Sequence, residues 1–144
     1  MNPNIPSFRE TEVFTSNAEG YHTYRIPALI VSPRGTIMAF CEGRKYDAED
    51  WGEINIVLKR SFDNGINWQK MQIVAAEDGA ITVGNPTPVM DKDTGKVWLF
   101  YCRDNDQIYV TSSADDGATW STPANITKSV KMPTWTWSGT GPGH

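Results

Sequence analysis

Two arginines, a loop rich in carboxylates and an asparagine before a proline are the residues of this 144-residue chain best placed to do chemistry. Arg25 opens the strand-like run Arg25-Ile26-Pro27-Ala28-Leu29-Ile30-Val31, in which Pro27 fixes a backbone torsion two residues on. A guanidinium held in this way offers a carboxylate two parallel, charge-assisted hydrogen bonds that an ammonium cannot reproduce, so Arg25 suits an anion clamp. Arg44 closes the next apolar run. If the two runs pair as a hairpin, their outer ends meet and both guanidiniums reach one rim. The loop that follows, Lys45-Tyr46-Asp47-Ala48-Glu49-Asp50-Trp51-Gly52, carries three carboxyls suited to giving or taking a proton. Asn85 precedes Pro86, which biases it toward an extended conformation at the start of a later strand. Each also has a plainer reading: an edge arginine paired with an acid, a solvated acidic turn, an ordinary turn asparagine.

The elements that must position these residues are announced by a repeat. Ser61-Phe62-Asp63-Asn64-Gly65-Ile66-Asn67-Trp68 and Ser113-Ala114-Asp115-Asp116-Gly117-Ala118-Thr119-Trp120 share S-x-D-x-G-x-[NT]-W at an offset of 52 residues. Asp and Gly are turn formers: the carboxylate accepts from backbone N–H groups two residues on, and Gly takes φ > 0 without a Cβ clash. The Trp of each copy reads as a packing residue. Strand-like runs flank both copies, Ile54 to Lys59 before the first and Gln107 to Thr111 before the second. Two Pro/Gly/Asp-bearing turns, Ser32-Pro33-Arg34-Gly35 and Asp91-Lys92-Asp93-Thr94-Gly95, separate further pairs of apolar runs. No window holds a sustained helical period, so the chain reads as all-β. A period near fifty with about four strands per repeat predicts four-stranded antiparallel β-propeller blades. The length gives about 2.8 repeats, fewer than the ~4–8 blades a propeller needs to close, so the chain is expected to be the N-terminal portion of a larger propeller or a truncated frame.

Composition narrows the functions. Thirteen Lys+Arg against 17 Asp+Glu leave a formal charge of −4, without the basic run that a nucleic-acid or membrane-surface binder uses. The longest apolar stretch, Val97 to Tyr101 and Cys102, is far below the ~18 residues of a membrane span. The N-terminus lacks the basic and apolar regions of a signal peptide. Compartment stays open: secreted or periplasmic if a leader was removed, cytoplasmic otherwise. Cys41 and Cys102 read as core thiols, with one disulfide as the alternative. His22 and His144 have no partners at metal-ligand spacing, and Arg103-Asp104-Asn105-Asp106 reads as a polar turn.

In order along the chain, Tyr24-Arg25-Ile26-Pro27-Ala28-Leu29, Cys41-Glu42-Gly43-Arg44, Asp50-Trp51-Gly52-Glu53, Gly84-Asn85-Pro86-Thr87-Pro88, the two Asp-box turns at residues 61–68 and 113–120, and Thr140-Gly141-Pro142-Gly143 resemble the exo-α-sialidases (neuraminidases) of the bacterial and animal type. R-I-P alone is a weak signal. R-I-P, E-G-R, N-P and two Asp boxes in this order is a specific one.

The resemblance implies a retaining glycosidase that removes terminal α-linked sialic acid from glycoconjugates, on a six-bladed propeller of which this chain holds about three blades. It implies no cofactor and no metal. It puts Arg25 among three arginines that hold the substrate carboxylate, Arg44 and Asn85 on the side of the sugar's 4-hydroxyl, and Asp50 as the acid/base, with Asp47 and Glu49 as the next choices. The family's nucleophile is a Tyr, an exception to the scheme of two carboxylates. Neither it, its activating Glu nor the other two arginines is matched here, and none of Tyr21, Tyr24, Tyr46, Tyr101 and Tyr109 stands at that position. The isolated chain is therefore expected to be inactive. Ser138-Gly139 also departs from the bulkier pair expected ahead of Thr-Gly-Pro-Gly. A glycan-binding or interaction propeller without turnover is the competing expectation.

Overall fold

The computed structural model describes residues 8–139. Two turns of similar make fold the chain back on itself. Between β1 (Thr23–Val31) and β2 (Ile37–Arg44), the Ser32 hydroxyl accepts from the Arg34 and Thr36 amides at 3.3 Å each, and Gly35 takes φ 84°. Between β5 (Val83–Met90) and β6 (Val97–Arg103), the Asp91 carboxylate plays the same part toward the amides of Asp93 and Thr94. In both, a side-chain oxygen satisfies the amides that the reversal leaves unpaired.

The repeated Ser-x-Asp turns join β3 (Ile54–Ser61) to β4 (Gln72–Ala75) and β7 (Gln107–Ser113) to β8 (Ala124–Asn125). In each, the serine hydroxyl donates to the aspartate, 2.9 Å from Ser61 to Asp63 and 2.8 Å from Ser113 to Asp115. The same hydroxyl accepts from the glycine amide, at 2.8 Å from Gly65 and 2.9 Å from Gly117. Against the expectation of a bond two residues on, the aspartate accepts from the amide four residues on, Asn67 or Thr119, at 2.8 Å. The serine is already within reach of the nearer amides, which leaves the longer aspartate to close the wider ring.

The strands form two antiparallel sheets, β1-β2-β3-β4 and β5-β6-β7-β8. After β8 come one helical turn, α1 (Thr127–Val130), and an irregular segment to residue 139. Trp135 to Trp137, which reads in sequence as an aromatic strand, is irregular, with both tryptophans exposed. No neighbouring strand among the described residues takes up its backbone groups, and a strand without a partner leaves them to solvent. The Thr140-Gly141-Pro142-Gly143 motif and His144 lie outside the described residues. Among those described, no helix is long and apolar enough to cross a membrane.

Alternation along the strands builds the core and then the site. In β2, Met38 and Phe40 face the second sheet and join Ile56, Leu58, Val97, Leu99 and Tyr101 in one buried cluster. Two and four residues further along, the same face continues as Glu42 and Arg44, both buried. The opposite face, through Cys41 and Val57, packs on Tyr21 and Phe14 of the preceding segment. Cys41 and Cys102 are both buried thiols, so the disulfide alternative does not form.

Candidate active site

Each sheet is kinked where its first strand approaches the rim. Arg25 pairs with Glu42 and Ala28 with Phe40, so three steps on β1 oppose two on β2, and Gly84 to Thr87 repeats this against Cys102 and Phe100. Each is a β-bulge, which bends the strand and re-aims the neighbouring side chain. The extra residues, Ile26 and Asn85, take φ 54° and 55°. Asn85 is thus not in the extended conformation expected before proline; an asparagine tolerates positive φ, and the bulge demands it. Ile26 is β-branched and tolerates it poorly, so strain is stored beside the site.

The two arginines and the acidic loop meet, as antiparallel pairing requires. Asp50 Oδ1 lies 3.3 Å from Arg25 NH1 and 2.8 Å from Arg44 NH2. Arg25 and Asp50 are substantially exposed, whereas the Arg44 side chain is only 3% exposed. Arg44 spends its donors on the protein: Nε and NH2 on Glu42 Oε2 (3.1 and 2.7 Å), NH1 on the Ala48 and Glu49 carbonyls (2.6 and 2.8 Å), and NH2 again on Asp50. It holds the acidic loop by its backbone and presents one carboxylate at the surface.

The far end of that loop is tied to the second sheet. The Gly52 amide donates to the buried Thr82 hydroxyl at 3.1 Å, and that hydroxyl donates to the Gly52 carbonyl at 3.2 Å. Asn85 stands across the opening, its side-chain Nδ2 donating to Asn105 Oδ1 at 3.3 Å. Asn105 in turn donates to the Asp50 carbonyl at 3.5 Å, and its own carbonyl accepts from the Ser138 amide at 2.9 Å. Between these groups is an open cavity of about 360 Å³, lined among others by Ile26, Arg44, Asp50, Asn85, Asn105 and Trp137. Three of the four residues singled out in the sequence line this cavity; Arg25 does not, touching it only through its contact with Asp50 and lining instead a pocket with Phe14, Tyr24, Pro27 and Cys41.

Neither of the other carboxyl-bearing residues of the loop, Asp47 and Glu49, lines this cavity. Asp47 accepts from the Glu49 amide at 3.0 Å and stabilises the turn, and Glu49 meets Arg44 through its backbone carbonyl. Burial pushes the Tyr24 and Tyr101 hydroxyls up to about 12, the opposite of what a nucleophile needs. Burial, with the Glu42 charge beside it, pushes the Cys41 thiol up to about 12, which leaves it a packing residue. Among the described residues no cluster of His, Cys, Asp and Glu is placed to hold a metal.

Glu42, Thr82 and Asn105 were not singled out in the sequence. Glu42 had a readable signal, since two residues from Arg44 on a strand is the same face. Thr82 and Asn105 act through contacts 30 and 55 residues away in the chain, and local sequence holds no trace of these.

A pair of four-stranded antiparallel sheets, packed face to face with a polar opening at one rim, defines adjacent blades of a β-propeller-type protein. Residues 22–144 match the BNR repeat-like domain family, and the chain belongs to it. It is 34% identical to an exo-alpha-sialidase of Aspergillus fumigatus, over 97% of this chain and 43% of that protein. It is 31% identical to a sialidase of Bacteroides fragilis, over 84% of this chain and 27% of that protein. Among solved structures, the Hadza microbial sialidase Hz136 superposes with a TM-score of 0.80 at 31% identity, over 86% of this chain and 30% of that one. The NanB sialidase of Streptococcus pneumoniae, 13% identical, superposes with a TM-score of 0.72 over 92% of this chain and 40% of that one, a likeness of fold alone. The chain spans less than half the length of each of these relatives.

Proposed function

We propose that this chain forms the N-terminal blades, with Asp boxes at residues 61–68 and 113–120, of a six-bladed exo-α-sialidase that releases terminal α-linked sialic acid with retention. One observation carries the reading: the Asp50 carboxylate sits on two guanidiniums, 3.3 Å from Arg25 and 2.8 Å from Arg44, at the mouth of a cavity wide enough for a monosaccharide. Arginines that already hold a carboxylate are suited to hold that of an acidic sugar. In this reading Arg25 is the clamp, and Asp50 protonates the leaving-group oxygen and later takes a proton from water. Asn85 faces the 4-hydroxyl side. Arg44 has its donors occupied, so it reaches the same hydroxyl only as Asp50 swings off NH2 toward the glycosidic bond. Substrate entry and arming of the acid are then one exchange of carboxylate for ligand.

Asp50→Ala in the full natural protein separates the roles. Natural sialosides leave as alkoxides and need a proton, and their cleavage should fall by about 10²–10⁴-fold. Aryl sialosides leave as stabilised phenolates and should lose far less. Equal losses on both substrates remove Asp50 from the acid role, and an unmutated protein that binds sialosides without cleaving them returns the propeller to the glycan-binding class.

A further inference from the structure

The roles assigned above leave out a carboxylate that touches both halves of the site. We propose that Glu42 is a positioning residue, which fixes Arg44 with one oxygen and the Asn85 bulge with the other, so that acid loop and asparagine keep one geometry. Its side chain is 4% exposed, and a carboxylate so buried is costly unless charge-assisted hydrogen bonds compensate. They do, and they are divided between the blades. Oε2 accepts from Arg44 Nε and NH2 at 3.1 and 2.7 Å, and Oε1 accepts from the Asn85 backbone N–H at 2.8 Å. The nitrogen that meets Oε2 also meets Asp50 Oδ1 at 2.8 Å, so the placement of Glu42 passes through Arg44 to the proposed acid.

Two further observations separate this role from general packing. Gly84 has no positive φ to explain it, but a Cβ there would stand 2.4 Å from Glu42 Oε1 and 3.1 Å from its Cδ. The glycine is needed for room, and the group that needs the room is this carboxylate. In the second blade, the residue that pairs with Gly84 as Glu42 pairs with Arg25 is Cys102. The scaffold accepts a small neutral side chain at that register position, so the sheet itself does not require a carboxylate there.

The kinetic arm of the test rests on the sialidase reading; the spectroscopic arm does not. The full natural protein, labelled with ¹⁵N-arginine, gives an Arg44 Nε–H signal, assigned by its loss in Arg44→Lys. In the unmutated protein that proton should exchange slowly. Gly84→Ala removes no charge and no side chain of the site, yet pushes Glu42 off its partners. Exchange should accelerate by about tenfold or more, as loss of a hydrogen bond to a charged group allows, and kcat/KM per folded molecule should fall by about a hundredfold. Glu42→Asp in the Gly84→Ala background withdraws the carboxylate by one methylene and should recover part of both losses. If Gly84→Ala does not fold, Glu42→Gln is read in the same two ways. A lowered melting temperature with Arg44 exchange and kcat/KM unchanged makes Glu42 a joint between blades and overturns the proposal. If the unmutated protein cleaves no sialoside, the sialidase reading falls and Arg44 exchange alone decides for or against Glu42.

Discussion

The two blades share the register of their first three strands, the bulge of the first strand and their turns, and they differ in what stands on them. Where the first blade has Arg25, Ile26 and Glu42, the second has Gly84, Asn85 and Cys102. The scaffold repeats and the chemistry does not. Each second strand ends on an arginine at the rim, but Arg103 stands at the register position of Gly43, not of Arg44, so the two face opposite sides of their strands and their environments differ. Arg44 is buried among Glu42, Asp50 and two carbonyls, whereas Arg103 reaches Glu77 at 2.8 Å with side chains 27% and 40% exposed. Most of the polar investment of the site is thus in one blade, and the second contributes backbone, two asparagines and a small residue that makes room.

Removing the two arginines in turn breaks this comparison where it is largest. Arg44→Met strands a buried carboxylate and should cost about 3–5 kcal/mol of stability. Arg103→Met removes a surface pair and should cost under about 1 kcal/mol. Urea denaturation of both variants measures the gap, and equal costs would mean that the buried cluster is no more coupled than a surface pair.

The second contrast lies at the opposite rim, between the two Asp boxes. The box of the second blade is pressed against the first: a Cβ on Gly117 would sit 3.1 Å from both Leu58 Cδ2 and Met38 Sδ, and the Asp116 carboxylate accepts from the Thr36 hydroxyl at 3.0 Å. The box of the first blade has more room, with the nearest atom 3.8 Å from a Cβ on Gly65. Both glycines have positive φ, 77° and 80°, so both alanine variants carry the backbone cost of about 1 kcal/mol. Gly117→Ala adds a steric clash with two core side chains and should lose about 1–3 kcal/mol more. A smaller difference in melting temperature than that implies would show that the blades can part slightly without penalty.

These contrasts mark what the sequence can and cannot convey. The Asp boxes, the turns at Gly35 and Gly95 and the apolar alternation of β2 and β6 are local, so period and turn chemistry were enough to read four-stranded blades. Arg25, Arg44 and the acidic loop were legible because hairpin pairing joins residues near in sequence. The conformation of Asn85 was not, because the extended bias of a residue before proline yields to a bulge whose register is set by β6. Of the two partners of Glu42, Arg44 lies two residues on along the same face and was within reach of the sequence, whereas the backbone N–H of Asn85, 43 residues on, was not. Trp135 to Trp137 reads as a strand by composition, but a strand is a property of a pair, and no local pattern states whether a partner is present.

The smallest effect sharpens the comparison of the two boxes through pH. Hydrogen bonds from the Thr119 hydroxyl and backbone hold the Asp115 carboxyl down at about 2, from an ordinary 3.8. Asn67, through its backbone and then its side chain, lowers that of Asp63 in the same direction. A carboxyl depressed by folding contributes stability that is complete above its unfolded value and lost as pH falls through its folded one. The contribution of Asp115 is therefore present above about pH 4 and fades toward pH 2, and with solvent screening it should amount to about 1 kcal/mol. At neutral pH, Asp115→Asn should unfold at lower urea than the unmutated protein, and the two midpoints should converge as the pH is taken toward 2. Asp63→Asn should show the same convergence with a smaller starting gap, because its carboxyl is the less depressed of the two. Parallel midpoints across the acid range would assign the turn's stability to the serine hydroxyls and the backbone, and would remove charge from the account of both boxes.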